Sequence, residues 1–78
     1  MNLENAIKSM ELYRDQHLKT GGFIEACLSN DLREAFALAD SSSRENLFEI
    51  VAWLYNEMPA GMWGSRERVE NHLSARRT

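Results

Sequence analysis

The sequence predicts an all-α fold, a compact bundle of four to five short helices in one domain spanning residues 1–78. Ile, Val and Thr, the β-branched residues, total only seven of 78 residues, and no segment alternates apolar and polar side chains. Apolar residues recur instead at spacings of three and four, as on one face of a helix. Hydrophobic residues make up 44% of the chain, which is enough to build a small core.

The first helix is predicted from about residue 3 to residue 19. Leu3, Ala6, Met10 and Tyr13 lie along one stripe at helical spacing. The Thr20–Gly22 segment then ends the helix, because glycine adopts the left-handed geometry that follows many helices.

Residues 22–39 could form one amphipathic helix, but Ser29, Asn30 and Asp31 interrupt the pattern with side chains that prefer helix caps. Asp31 and Glu34 also match a variant of the capping box. The sequence therefore predicts two helices, at about 22–29 and 32–39.

Serine caps mark the last two helices. Ser42 with Glu45 matches a capping box, so a helix is predicted at about 43–58, with Pro59 ending it. Ser65 is the expected cap of a final helix at about 66–75, which should fray over residues 76–78.

Composition excludes several classes of protein. Cys27 is the single cysteine, so an internal disulfide is impossible, and no Cys and His group has metal-binding spacing. The N-terminal segment has charges throughout, unlike a signal peptide or membrane anchor. We therefore expect a cytoplasmic protein without cofactor, metal or membrane contact. A homodimer is favoured over a monomer, because small domains often need a second copy for stability.

Charge is distributed unevenly along the chain, whose net charge is −3. Residues 25–57 carry seven acidic and two basic side chains, whereas residues 66–78 carry four arginines and two glutamates. The acidic middle opposes binding to phosphate backbones. Residues 32–39, a four-residue turn and residues 44–58 imitate a helix-turn-helix in outline, so a small DNA-binding regulator is retained as an alternative, although Glu45 and Glu49 would repel phosphates.

Trp53 is the strongest candidate for a contact residue. At 100° per residue it falls on the polar side of its helix, while Tyr55 and Phe48 widen the apolar side. A tryptophan among polar residues is typical of a binding hot spot, so Trp53→Ala should fold normally and lose association. The competing interpretation is that the loop at 60–63 covers the indole. The predicted partner-binding set is Trp53, Asn46, Glu49, Asn56 and Glu57, with Arg66 and Arg68 as a secondary contact.

No residues form a catalytic pattern, so the chain is not expected to be an enzyme. His17 is predicted at the core edge and His72 in solvent, and neither has a nucleophile or carboxylate at recognisable spacing. Cys27 falls on an inward stripe and is expected to act as a small hydrophobe. Trp63 is expected to close the end of the bundle beside Val69.

Residues 21–73 contain the segments N-D-L, A-D, L-F-E-I, L-Y-N and W-G-S. In these segments the chain resembles small uncharacterised proteins carried by bacteriophages, prophages and plasmids. The resemblance supplies no functional site. It implies an accessory protein of a mobile element, such as an inhibitor of a host defence or regulatory complex that acts by occluding a surface. A homodimer that sequesters a small ligand between its subunits is a further alternative.

Overall fold

Five α-helices and one short 3-10 turn make up the computed structural model, which describes residues 1–75. The helices are α1 (Leu3–Gln16), α2 (Gly22–Leu28), α3 (Leu32–Leu38), α4 (Ser41–Glu57) and α5 (Arg66–Ser74). The 3-10 turn, Ala60–Met62, lies between α4 and α5. No strand occurs within the described residues, so the predicted all-α class is confirmed.

The predicted break between α2 and α3 is confirmed. Asn30 adopts a left-handed conformation with φ 59°, which reverses the chain after α2. The Asp31 carboxylate accepts a hydrogen bond of 3.1 Å from the Glu34 amide, as an N-cap does. The chain therefore forms a tight α2–α3 hairpin, in which the two helices pack against each other.

Helix α1 ends earlier than predicted. Its last residue is Gln16, and His17 takes the left-handed position with φ 56°, the role expected of a glycine. Gly21 instead precedes the first residue of α2, as its N-cap. The predicted end at residue 19 was wrong, because a histidine held by other contacts stops the helix three residues sooner.

The predicted cap of α4 was also wrong. Asp40, and not Ser42, caps the helix by accepting a 2.8 Å hydrogen bond from the Ser43 amide. The Ser42 hydroxyl donates instead to the Met1 carbonyl, at 2.7 Å. The Met1 ammonium group lies 2.7 Å from Asp40 and holds the pKa of that carboxyl well below its usual range. Helix α4 therefore starts at Ser41, and it ends as predicted just before Pro59.

Helix α5 starts as predicted, with the Ser65 hydroxyl accepting a 3.1 Å hydrogen bond from the Arg68 amide. The fraying predicted for residues 76–78 lies outside the described residues.

The core lies between α1, α2, α4 and α5. Helix α1 packs against both α4 and α2, and α5 contacts α2. The largest fully buried side chains of the core are Tyr13, Met10, Ile24, Leu28, Ile50, Leu54 and Val69. Trp63 is half-buried and packs against this cluster, to which Val69 also belongs; that Trp63 closes the end of the bundle beside Val69 stays a prediction. Helix α3 contributes only Ala35 to the core, so most of its surface is left open.

Candidate protein-interaction surface

Five large apolar side chains lie exposed on α3 and α4: Leu38, which is 49% exposed, and four that are more exposed. Leu32 is 70% exposed, Phe36 55%, Phe48 80% and Tyr55 78%. We call these four residues the aromatic face. Single exposed apolar residues are ordinary on protein surfaces, but a contiguous group of this size is typical of an interaction site.

Helix α4 carries two apolar seams, and only one of them faces the core. The inner seam consists of Leu47, Ile50, Leu54 and Met58, which are buried or half-buried. The outer seam consists of Phe48, Val51 and Tyr55, spaced by three and four residues on the next side of the helix. The prediction that Phe48 and Tyr55 widen the inward side was therefore wrong.

Helix α3 supplies the other half of the aromatic face. The buried Ala35 fixes its inward side against the core. Leu32 and Phe36 are one turn apart, so their side chains share a strip next to the one that carries Ala35. Both residues belong to the apolar stripe that the sequence assigns to the core, yet both are exposed because α3 is only seven residues long and packs mainly on α2.

A groove of about 400 Å³ runs between α3 and the outer seam of α4. Its floor includes Ala26, Cys27 and Ala35, which are buried. Its walls include Leu32, Leu47, Phe48, Val51, Tyr55 and Trp63. The edge of the Tyr55 ring meets the Trp63 ring, with centroids 5.2 Å apart, so this wall is braced from the α4–α5 loop.

The groove offers little chemistry besides apolar contact. Its polar lining residues are Asn30 and Asp31, and the Asp31 carboxylate is already engaged by the Glu34 amide and by Arg66, 3.6 Å away. Burial raises the pKa of the Cys27 thiol to about 11, so the sulfur stays protonated and weakly nucleophilic at neutral pH. This arrangement favours an apolar segment of protein as the ligand.

The predicted contact residue Trp53 lies on a different side of α4 from the aromatic face. It is half-buried and packs against the core cluster, and the Arg14 guanidinium carbon lies 5.4 Å from its ring centroid. Arg14 also donates a 3.1 Å hydrogen bond to the Glu57 carbonyl. The indole is therefore partly covered from α1.

The other members of the predicted set surround Trp53 without forming a defined site. Asn46 is half-buried, and Glu49 and Glu57 are exposed. The Asn56 amide donates to the Ala52 carbonyl of its own helix, at 2.9 Å. Binding of a partner through Trp53, Asn46, Glu49, Asn56 and Glu57 stays a prediction.

The predicted secondary contact residues both make contacts within the chain. Arg68 donates to the carbonyls of Ala60 and Trp63, at 3.3 Å each, and so ties α5 to the loop before it. Arg66 lies 3.6 Å from Asp31 and links α5 to the start of α3. Both remain exposed, and their role toward a partner stays a prediction.

His72 is buried, so its predicted position in solvent was wrong. Its Nε2 atom donates to the Tyr13 carbonyl at 2.6 Å, and the His17 Nδ1 atom donates to the His72 carbonyl at 2.8 Å. The two imidazole rings stack with centroids 4.1 Å apart. The Tyr13 hydroxyl donates to the Met62 carbonyl at 2.7 Å. These bonds join α1 to α5 and explain why His17 ends α1.

Comparisons of the chain with protein-family models, with curated proteins and with solved structures find no match. Within residues 1–75, no helix is long and apolar enough to span a lipid bilayer. Among the same residues, no three His, Cys, Asp or Glu side chains are grouped to hold a metal ion.

The spacing of Phe48, Val51 and Tyr55 was the available signal for the aromatic face. Some apolar stripes are too wide for one neighbouring helix to cover. Such a stripe indicates either a central helix with neighbours on several sides or a second contact surface for another molecule. The sequence favoured the first interpretation, because nothing in it shows that α3 is too short and too far toward α2 to cover the outer seam.

Proposed function

We propose that this chain is a non-enzymatic protein-binding domain that uses its aromatic face as the contact surface. The observation that carries the proposal is the exposure of Leu32, Phe48 and Tyr55 around one apolar groove, with Phe36 exposed one turn after Leu32 on α3. Tyrosine and phenylalanine are enriched in the cores of protein interfaces, where they bring large area at little entropic cost.

The size of the surface supports this function. With roughly 200 Å² for each large side chain, the four residues expose on the order of 550 Å² of mostly apolar surface. The largest apolar patch on an ordinary monomer is about 300–600 Å², and patches at the upper end are often functional. In a chain of 78 residues such a patch lowers the stability that folding can reach, because four large side chains do not contribute to a small core.

The resemblance to proteins of mobile elements supports a finer proposal. A small domain of that kind would act inside the host cell by occupying the surface of a defence or regulatory complex, without chemistry of its own. The face around Trp53 would then be a second contact, separate from the aromatic face.

A photo-reactive phenylalanine analogue at position 48 tests the proposed surface in cells that naturally carry the gene. Position 70 on α5 is the matched control, because Glu70 is exposed and lies outside the groove lining. We expect an adduct of defined mass from position 48 and none from position 70. Equal labelling at both positions, or none at position 48, would overturn the proposal.

A further inference from the structure

We infer that the aromatic face binds a second copy of this chain, with the two α4 helices packed antiparallel about a two-fold axis near Val51. This inference rests on the proposed function, since it names the partner of the same surface. It places Phe48 of each copy against Tyr55 of the other, over the mouth of the other copy's groove.

The first argument is the spacing of the outer seam. Arg44, Phe48, Val51 and Tyr55 follow one another at intervals of four, three and four residues. This is the repeat with which two helices pack knobs into holes along their length. The inner seam uses the same kind of spacing to pack α4 within the chain. The outer seam thus has the residue spacing that packing against a second helix requires.

The second argument is shape. The groove and the side chains that project beside it belong to one continuous surface, as a two-fold interface requires. Phe48 and Tyr55 are the two most exposed of the large apolar residues, and both also line the groove. Each copy therefore offers both a projecting ring and a cavity of about 400 Å³ to receive one.

The third argument is charge, and it also selects the direction of packing. Arg44 lies one turn before the outer seam, with its guanidinium carbon 6.0 Å from the Phe36 ring centroid. An antiparallel pair brings each Arg44 toward the C-terminal end of the other α4, where helix carbonyls favour a cation. A parallel pair would bring the two Arg44 side chains together and repel.

The surrounding charges also suit self-association. Asp31 and Arg66 pair with each other at the groove edge, and Arg44 is the charged residue one turn before the outer seam. Two acidic residues of α4, Glu49 and Glu57, lie toward the Trp53 side at helical spacing. Two of the three acidic side chains of α4 are therefore directed away from the proposed interface.

The available area lies near the lower limit for a dimer, in keeping with an association in the high micromolar range. Stable interfaces bury at least about 600 Å² on each partner. The aromatic face supplies on the order of 550 Å² by itself, and half-buried neighbours such as Val51 and Leu47 add to it.

Sedimentation equilibrium of the full chain tests the dimer directly. We expect the wild type to move from 9.0 kDa toward twice that mass as concentration rises into the high micromolar range. Phe48→Glu should raise the dissociation constant by at least about thirtyfold, because each dimer would bury two unpaired carboxylates. Leu38→Glu is the matched control, since it places the same charge at an exposed apolar position outside the groove lining, and it should leave the mass curve unchanged.

A second variant and a cross-link keep the outcome decisive. Circular dichroism checks that Phe48→Glu is folded, and Tyr55→Glu replaces it if it is not. A photo-reactive phenylalanine at position 48, in mixed isotope-labelled and unlabelled chains, should cross-link near Tyr55 of the other copy. Cross-links between the two positions 48 would overturn the antiparallel arrangement.

A wild type that stays at one chain mass at every concentration would overturn the dimer, as would a Phe48→Glu variant that dimerises normally. The proposed function is tested by a different outcome. A monomeric wild type that still forms an adduct of larger mass at position 48 in cells would keep the protein-binding surface and reject only the second copy.

Discussion

The α1–α5 junction, formed by Tyr13, His17 and His72, and the aromatic face both contain aromatic side chains, but the surroundings of these side chains differ. At the junction, the His72 ring contacts the rings of Tyr13 and His17, and all three side chains donate hydrogen bonds to carbonyls of the chain. On the aromatic face, Phe48 and Tyr55 project from α4 with most of their surface exposed. Aromatic residues at the first site hold two helices together, whereas those at the second are available to another molecule.

The difference arises from how far each helix is covered by its neighbours. Helix α1 lies against α4 and α2, and its C-terminal end meets α5, so the Tyr13 side chain is enclosed. Helix α4 packs against α1 along its inner seam. Helix α3 packs against α2 and leaves the outer seam of α4 exposed. The two regions should therefore respond differently to truncation.

Truncation of the inner seam should have the largest effect. Leu54 is fully buried, so Leu54→Ala should lower the free energy of unfolding by about 2–5 kcal/mol. Tyr55→Ala, at the next residue, should change it by no more than about 1 kcal/mol at concentrations where the chain is monomeric, because it loses only the ring contact with Trp63. Urea unfolding of both variants measures the contrast, and similar losses at the two positions would contradict it.

Trp53 should fall between these extremes. Because the indole is half-buried against the core and under Arg14, Trp53→Ala should cost on the order of 2 kcal/mol, below the value for a fully buried tryptophan. This revises the expectation from sequence that the variant keeps a normal melting temperature. Thermal unfolding followed by circular dichroism tests it, with Glu49→Ala as an exposed control on the same helix. An unchanged melting temperature would restore the original expectation.

The folded chain should lose stability in alkali. Burial, with a smaller contribution from Glu25, raises the pKa of Tyr13 to about 12 from 10, and burial raises that of Cys27 to about 11 from 9. The unfolded chain releases both protons at lower pH than the folded chain does. Stability is therefore complete below pH 9 and decreases as pH rises toward 12.

Urea unfolding at several pH values measures this slope. Tyr13→Phe should flatten the part above pH 10, although loss of the hydrogen bond to the Met62 carbonyl lowers stability at every pH by about 1 kcal/mol. An identical slope in the wild type and the variant would exclude Tyr13 as its source.

Local signals in the sequence predicted most of the helices. The polar run at 29–31, Pro59 and Ser65 each act within a few residues, and each boundary was predicted correctly or within two residues. The boundary predictions were wrong where a contact with a residue distant in sequence determines the end or the cap of a helix. His17 ends α1 because it reaches His72, 55 residues away, and Asp40 caps α4 with support from the Met1 ammonium group.

The candidate surface was predicted less well for the same reason. A helical wheel shows that Trp53 lies among polar neighbours, but Arg14 of another helix partly covers it. The wheel also assigns Phe48 and Tyr55 to the apolar side without showing that no helix lies over them. Coverage by neighbouring helices is a property of the tertiary arrangement, and residue spacing alone does not contain it.

The central claim is that the outer seam of α4 is a contact surface and not part of the core. The most direct test is urea unfolding of Phe48→Glu beside the wild type, at a concentration where both have the mass of one chain. The side chain is 80% exposed, so we predict equal free energies of unfolding within about 0.5 kcal/mol. A loss of more than about 2 kcal/mol would show that Phe48 is buried in the folded monomer and would contradict the account.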